Sequence, residues 1–136
     1  MAGPFGACVV RRREVLAVGH STVIQDRDPT CHAEMNAIRL AARKLESYDL
    51  SGCEIYSTNE PCPMCFAAIH WARLDRLIYG TSIGEAARLG FNEMPIGNLQ
   101  MQAMSRSPVA VYAGFLLEEC RELLEEWARL PGRQVY

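Results

Sequence analysis

The chain has 136 residues, a formal net charge of −2, 49% hydrophobic residues and 22% charged ones. That composition supplies a normal core for one domain (1–136) without a disulfide scaffold, and it argues against a surface built mainly to neutralise phosphates. No run approaches the ~20 apolar residues of a membrane span. Residues 1–5 lack the basic-then-apolar pattern of a secretory signal, so the six cysteines are expected as reduced thiols in the cytoplasm.

In chain order, residues 5–10 and 14–18 are apolar and rich in small or β-branched side chains, which predicts a β-hairpin. Arg11, Arg12 and Arg13 between them read as a solvated turn. Residues 21–29 are polar and predict a surface loop. A helix follows, capped by Asp28 or Thr30, with Met35, Ile38, Ala42 and Leu45 as its buried face and Ser51-Gly52 as its stop. Residues 53–57 alternate as a strand. Pro61-Cys62-Pro63 opens a second helix running to about Arg73, with Phe66, Ile69 and Ala72 inward. A short strand covers 76–80. Residues 84–102 look irregular, with one helical turn at 85–89. The last strand spans 109–113, and residues 116–130 form an amphipathic helix with Leu116, Leu117, Cys120, Leu123, Leu124 and Trp127 inward. The pattern predicts an α/β layered sandwich with a mixed sheet, and residues 81–108 are long enough to join the last two strands in parallel.

Two segments carry chemistry: Cys31-His32-Ala33-Glu34 and Pro61-Cys62-Pro63-Met64-Cys65. Each stands at a helix start, where free N–H groups and the positive dipole end favour thiolate, the form that binds metal. Cys62 and Cys65, one turn apart, can reach the same ion. With His32 they make a three-ligand site, the open pattern of catalytic Zn2+, in which bound water reaches a pKa of about 7. Glu34 lies two residues after the ligand His32 and can enter the same cavity as a proton carrier without binding metal. A lone Cys-x-x-Cys reads equally as a redox pair or half a structural zinc site, and a lone His-x-Glu reads as nothing. Together they form the H-x-E…P-C-x-x-C signature of zinc deaminases. Cys8, Cys53 and Cys120 are expected in the core, Cys31 is expected to point away from the metal, and His20 and His70 are expected to be structural or on the surface.

Pro4-Phe5-Gly6-Ala7, Asp28-Pro29-Thr30, Glu60-Pro61-Cys62-Pro63-Met64-Cys65, Trp71-Ala72-Arg73 and Gly90-Phe91-Asn92-Glu93 resemble the cytidine-deaminase-like superfamily, specifically its guanine and guanosine deaminase branch. The resemblance implies a three-layer α/β/α sandwich with a five-stranded mixed sheet, a homodimer, one zinc per subunit, and hydrolytic release of ammonia from a nucleobase or nucleoside. It also implies Phe5 stacked near the substrate ring, Glu93 reading purine N–H groups, and Tyr136 closing the site, a role that a swapped partner chain fills in some members. The family usually has an Asn after the second strand. Gly19-His20-Ser21-Thr22 has none, so Ser21 or Thr22 stands in its place. Residues 109–129 are also similar to bacterial tRNA adenosine deaminase. The acidic pI near 5.9 and the scarcity of C-terminal basic residues favour a free base or nucleoside over nucleic acid. A non-catalytic zinc module is the third reading.

Overall fold

The computed structural model describes residues 2–136. The hairpin forms as the pattern predicts, from Gly6–Arg11 (β1) and Glu14–His20 (β2). Arg12 and Arg13 both take positive φ (50° and 66°), as a two-residue hairpin turn requires, and their side chains are exposed. The stretch expected as a surface loop instead holds one helical turn, Val23–Asp26 (α1), with Ser21 and Val23 buried. Val23 interrupts an otherwise polar run, and its burial draws the segment onto the body of the protein.

The next helix, Ala33–Leu45 (α2), has His32 at its N-cap rather than Asp28 or Thr30. Asp28 Oδ1 accepts from Thr30 N and Thr30 Oγ1 at 2.8 and 2.7 Å, closing a turn just ahead of the helix. Ala33, Ala37 and Ala41 form its deepest stripe, while Ile38, Ala42 and Leu45 flank the core half-buried. Small residues take the centre because α2 lies almost in contact with β2: a Cβ at Gly19 would stand 2.7 Å from the Ala33 carbonyl and the Ala37 amide.

Glu54–Asn59 (β3), Pro63–Trp71 (α3) and Arg76–Thr81 (β4) make a parallel β-α-β unit. Ile83–Ala87 (α4) is the helical turn expected near residue 85, opened by a Ser82/Glu85 capping box. Asn98–Ser105 (α5) lies in the stretch read as irregular; its sequence has good helix formers but no clear apolar stripe. Ala110–Tyr112 (β5) then pairs in parallel with β4, and Leu117–Arg129 (α6) ends the order of elements. The five-stranded mixed sheet runs β2-β1-β3-β4-β5.

One face of the sheet carries Val9, Leu16, Ile55 and Leu77 into the main core with α2 and α3. On the other face α6 packs on β4, and Phe115, just ahead of it, meets Tyr56 of β3. There Gly80 lets the helix approach, since a Cβ at that position would collide with Cys120 Sγ. Because α6 covers only part of this face, its inward set is smaller than the sequence predicts. Leu124 and Trp127 are buried, Leu117 and Cys120 half-buried, and Leu116 and Leu123 exposed. Cys8, expected in the core, is likewise half-exposed, whereas Cys53 is buried. No helix among the described residues is long and apolar enough to cross a membrane.

Candidate functional site

Two helix starts meet at one end of the sheet. His32 and Cys62 are the N-caps of α2 and α3, both in extended conformation, and neither side chain caps its own helix. Both turn instead toward a common point. His32 Nδ1 stands 3.6 Å from Cys62 Sγ and 3.6 Å from Cys65 Sγ, and the three donor atoms lie within 4.8 Å of one another. Zinc bonds of about 2.3 Å to sulfur and about 2.0 Å to nitrogen, at the tetrahedral angle, put N and S about 3.5 Å apart. The donor set therefore fits zinc in type and in spacing.

The two thiols share one proton. The hydrogen bond from Cys65, opposed by burial and reinforced by His32, holds Cys62 as a thiolate down to about 4, while the same pairing and burial push Cys65 well up. Helix N-termini add to the preference for negative sulfur.

Glu34, in the first turn of α2, is buried beside these ligands. Its Oε2 lies 3.3 Å from Cys65 Sγ, and its Oε1 lies 2.6 Å from Ser57 Oγ. Burial pushes its carboxyl above the ordinary range, against the Ser57 hydrogen bond. Ser57 Oγ is also 2.6 Å from the Asn59 carbonyl.

A cavity of about 20 Å³ adjoins the cluster, lined by Phe5, Ser21, His32, Ala33, Glu34, Asn59 and Tyr136. That is room for about one water molecule, and a purine is several times larger. Tyr136 occupies the mouth. Its hydroxyl is hydrogen-bonded to Ser21 Oγ, and its carbonyl accepts from Asn92 N at 2.8 Å. Phe5 stacks edge-on to Phe91 at 4.9 Å, and Phe91 also meets Tyr136 and Trp127. Both ends of the chain thus reach the site.

Of the residues expected here, His32, Cys62, Cys65, Glu34, Phe5, Ser21 and Tyr136 come together. Glu93 does not line the small cavity, but it is half-buried and close enough to feel Cys62, His32 and Glu34. Its carboxyl is pushed up to about 7, by burial first and then by the Cys62 thiolate. Cys31 is buried, 3.7 Å from Arg39 Nη1 and outside the ligand set. His20 and His70 are exposed, and His70 Nδ1 contacts Ser107 Oγ at 2.7 Å.

Sequence reasoning missed Ser57, Asn59 and Glu60. The signal was present: β3 alternates strictly, so Ile55, Ser57 and Asn59 share its buried face, and a buried polar residue requires a partner. The Glu60 carboxylate accepts from Tyr79 Oη (3.2 Å), Ile83 N (3.1 Å) and Asn98 N (2.9 Å), tying the starts of α4 and α5 to the ligand loop.

The family model for the cytidine and deoxycytidylate deaminase zinc-binding region matches residues 1–81. Guanine deaminase from Bacillus subtilis is 43% identical over 93 residues, covering 68% of this chain and 60% of the relative. A tRNA-specific adenosine deaminase from Aquifex aeolicus is 43% identical over 76 residues, covering 56% and 50%. The chain thus spans about half to three fifths of the length of these curated relatives. Among solved structures, guanine deaminase from Nitrosomonas europaea superposes with a TM-score of 0.85 at 31% identity, covering 95% of this chain and 75% of that one. The site and these likenesses agree, and the chain belongs to the cytidine and deoxycytidylate deaminase zinc-binding family.

Proposed function

We propose that this chain catalyses zinc-dependent hydrolytic deamination of a guanine-type base or related amino-heterocycle, releasing ammonia. The observation that carries the reading is the buried Glu34 carboxyl, placed against a His-Cys-Cys donor set yet free of it. Held by His32, Cys62 and Cys65, zinc supplies water acidic enough to act as a nucleophile at neutral pH. Glu34 carries two protons in turn, one from the attacking water to the ring nitrogen and one from the hydroxyl added to carbon to the amine, which departs as ammonia. Ser57 follows the state of Glu34. Its single hydroxyl proton turns to Oε1 of the carboxylate; when Glu34 is protonated, Ser57 accepts from it and donates to the Asn59 carbonyl. Phe5 and Tyr136 wall the site and exclude bulk water, and Glu93 meets substrate N–H groups.

The capped cavity favours a small substrate over RNA. A base still attached to a polymer must pass the Ser21–Tyr136 contact, and α6 exposes Glu118, Glu119, Glu122, Glu125 and Glu126, an acidic surface unsuited to a phosphate backbone. The reading takes residues 1–136 as one catalytic unit, since Phe5 and Tyr136 both line the cavity. It includes a homodimer, supported by Leu40, Trp71, Leu99 and Met104, which are exposed on the helices of the main layer. A dithiolate metal site and free cysteines suit a reducing cytoplasm.

The test is ammonia release by the zinc-loaded protein from guanine, guanosine, isocytosine, cytosine, adenine and aminotriazines. Release from guanine or a close analogue supports the reading. Silence on every compound, with conversion of an anticodon-loop adenosine in tRNA, would replace it. Glu34→Gln with function intact would point to a non-catalytic zinc module.

A further inference from the structure

Among the polar side chains around the cavity, Asn59 stands apart as a buried donor. Ser21 and Tyr136 satisfy each other, and Glu34 Oε1 accepts from Ser57 Oγ. Asn59, at the end of β3, is only 4% exposed and lines the same cavity. Its Oδ1 accepts from Thr81 Oγ1 at 2.7 Å, across the β3–β4 pair. The reverse orientation of the amide would set Oδ1 against the Glu60 carbonyl at 3.3 Å, acceptor against acceptor, so the nitrogen occupies that side. A carboxamide nitrogen carries two hydrogens. The long bond to the Glu60 carbonyl engages one of them, and the other has no partner among the described residues.

A buried N–H left without an acceptor costs the protein its full desolvation, and the cavity beside it is where an acceptor can be supplied. We propose that Asn59 is a substrate-contact residue, its spare amide N–H donating to a carbonyl oxygen on the bound heterocycle. Thr81 fixes the direction of the amide and thereby makes the position a donor. The inference rests on the deaminase reading for the kind of ligand. It adds the prediction that ligands with a ring carbonyl are preferred over those with an amine at the same position.

The test compares binding of 8-azaguanine, which has the carbonyl, and 2,6-diaminopurine, which has an amine there, to the zinc-loaded full chain by calorimetry. Asn59→Asp replaces the donor by an acceptor. The ratio of the two dissociation constants is expected to move at least about tenfold toward 2,6-diaminopurine, with zinc content unchanged. Comparing ratios between variants cancels the other differences between the two compounds. Asn59→Ala serves if the aspartate variant misfolds: it is expected to weaken 8-azaguanine about tenfold and 2,6-diaminopurine much less. Thr81→Val, which frees the amide to turn, should narrow the ratio in the wild-type Asn59 background. A ratio unmoved in every folded variant overturns the inference, because a purely structural Asn59 would weaken both ligands alike. Binding of both compounds with no ammonia released anywhere on the panel sinks the deaminase reading alone, since the ratio still reports on Asn59. Failure of the wild-type protein to bind either compound overturns both.

Discussion

The hydroxyl of Tyr136, the last residue, is hydrogen-bonded to Ser21 Oγ across 115 positions of sequence, and the two close the cavity over Glu34 and His32. Substrate must displace this contact to enter. Tyr136→Phe removes a bond worth about 0.5–1.5 kcal/mol. It is expected to raise the opening frequency of the tail and to change KM by about 2–10-fold by the same bond energy. Hydrogen exchange at the Asn92 amide, which donates to the Tyr136 carbonyl, should quicken in parallel. Exchange and KM both identical to wild type would show that the tail does not gate the site.

Glu34→Gln keeps the shape of the side chain and removes its proton chemistry. Turnover on the best panel substrate is expected to fall by about 10²–10⁴-fold. Zinc stoichiometry by metal analysis should stay that of the wild type, because Glu34 is outside the His32, Cys62, Cys65 donor set. Loss of zinc together with activity would move Glu34 into the ligand set.

Zinc binding must expel the proton that Cys65 holds, since its thiol is pushed well above its ordinary value by Cys62 and by burial. Zinc affinity is therefore expected to fall as pH falls, and calorimetry in buffers of different ionisation enthalpy should show proton release on binding. Chelation should abolish turnover, and added zinc should restore it. Cys65→Ser is expected to lose zinc even where the fold survives.

Glu85 joins α4 to α6 through the Ser82 capping box and Arg121, whose Nε lies 2.6 Å from Oε1. Burial disfavours its charge, but Arg121 and Ser82 outweigh burial and hold the carboxyl below its ordinary value. Its stabilisation is thus present above the unfolded-state pKa and lost as pH falls through the folded one. Glu85→Gln is expected to cost about 1 kcal/mol at neutral pH, and the gap from wild type should close in acid. Urea unfolding at neutral pH and near pH 3.5 checks both arms; a gap independent of pH would show that the charge is immaterial.

The hairpin, α2, α3 and their order were legible in the sequence because each carries its own local signal: alternation, a cap or proline, an apolar stripe. α5 was not, since Asn98–Ser105 has helix-forming residues without periodicity and is placed by Glu60 and Pro61 accepting from Asn98. The inward set of α6 was overread for a related reason. An apolar stripe states what a helix can bury, but how much it does bury depends on how far the opposing face extends.

The sequence by itself determined the metal chemistry. His32 with Glu34, and Cys62 with Cys65, sit at fixed spacing on two helix starts, and local backbone geometry aims each pair, while the sheet brings the two starts together. Only the tertiary structure decided the substrate side. Phe5, Ser21, Asn59 and Tyr136 lie in four separate segments, and nothing local relates them. Their meeting follows from sheet order, from the return of the C-terminal tail over Phe91, and from the partners that each buried polar atom must find.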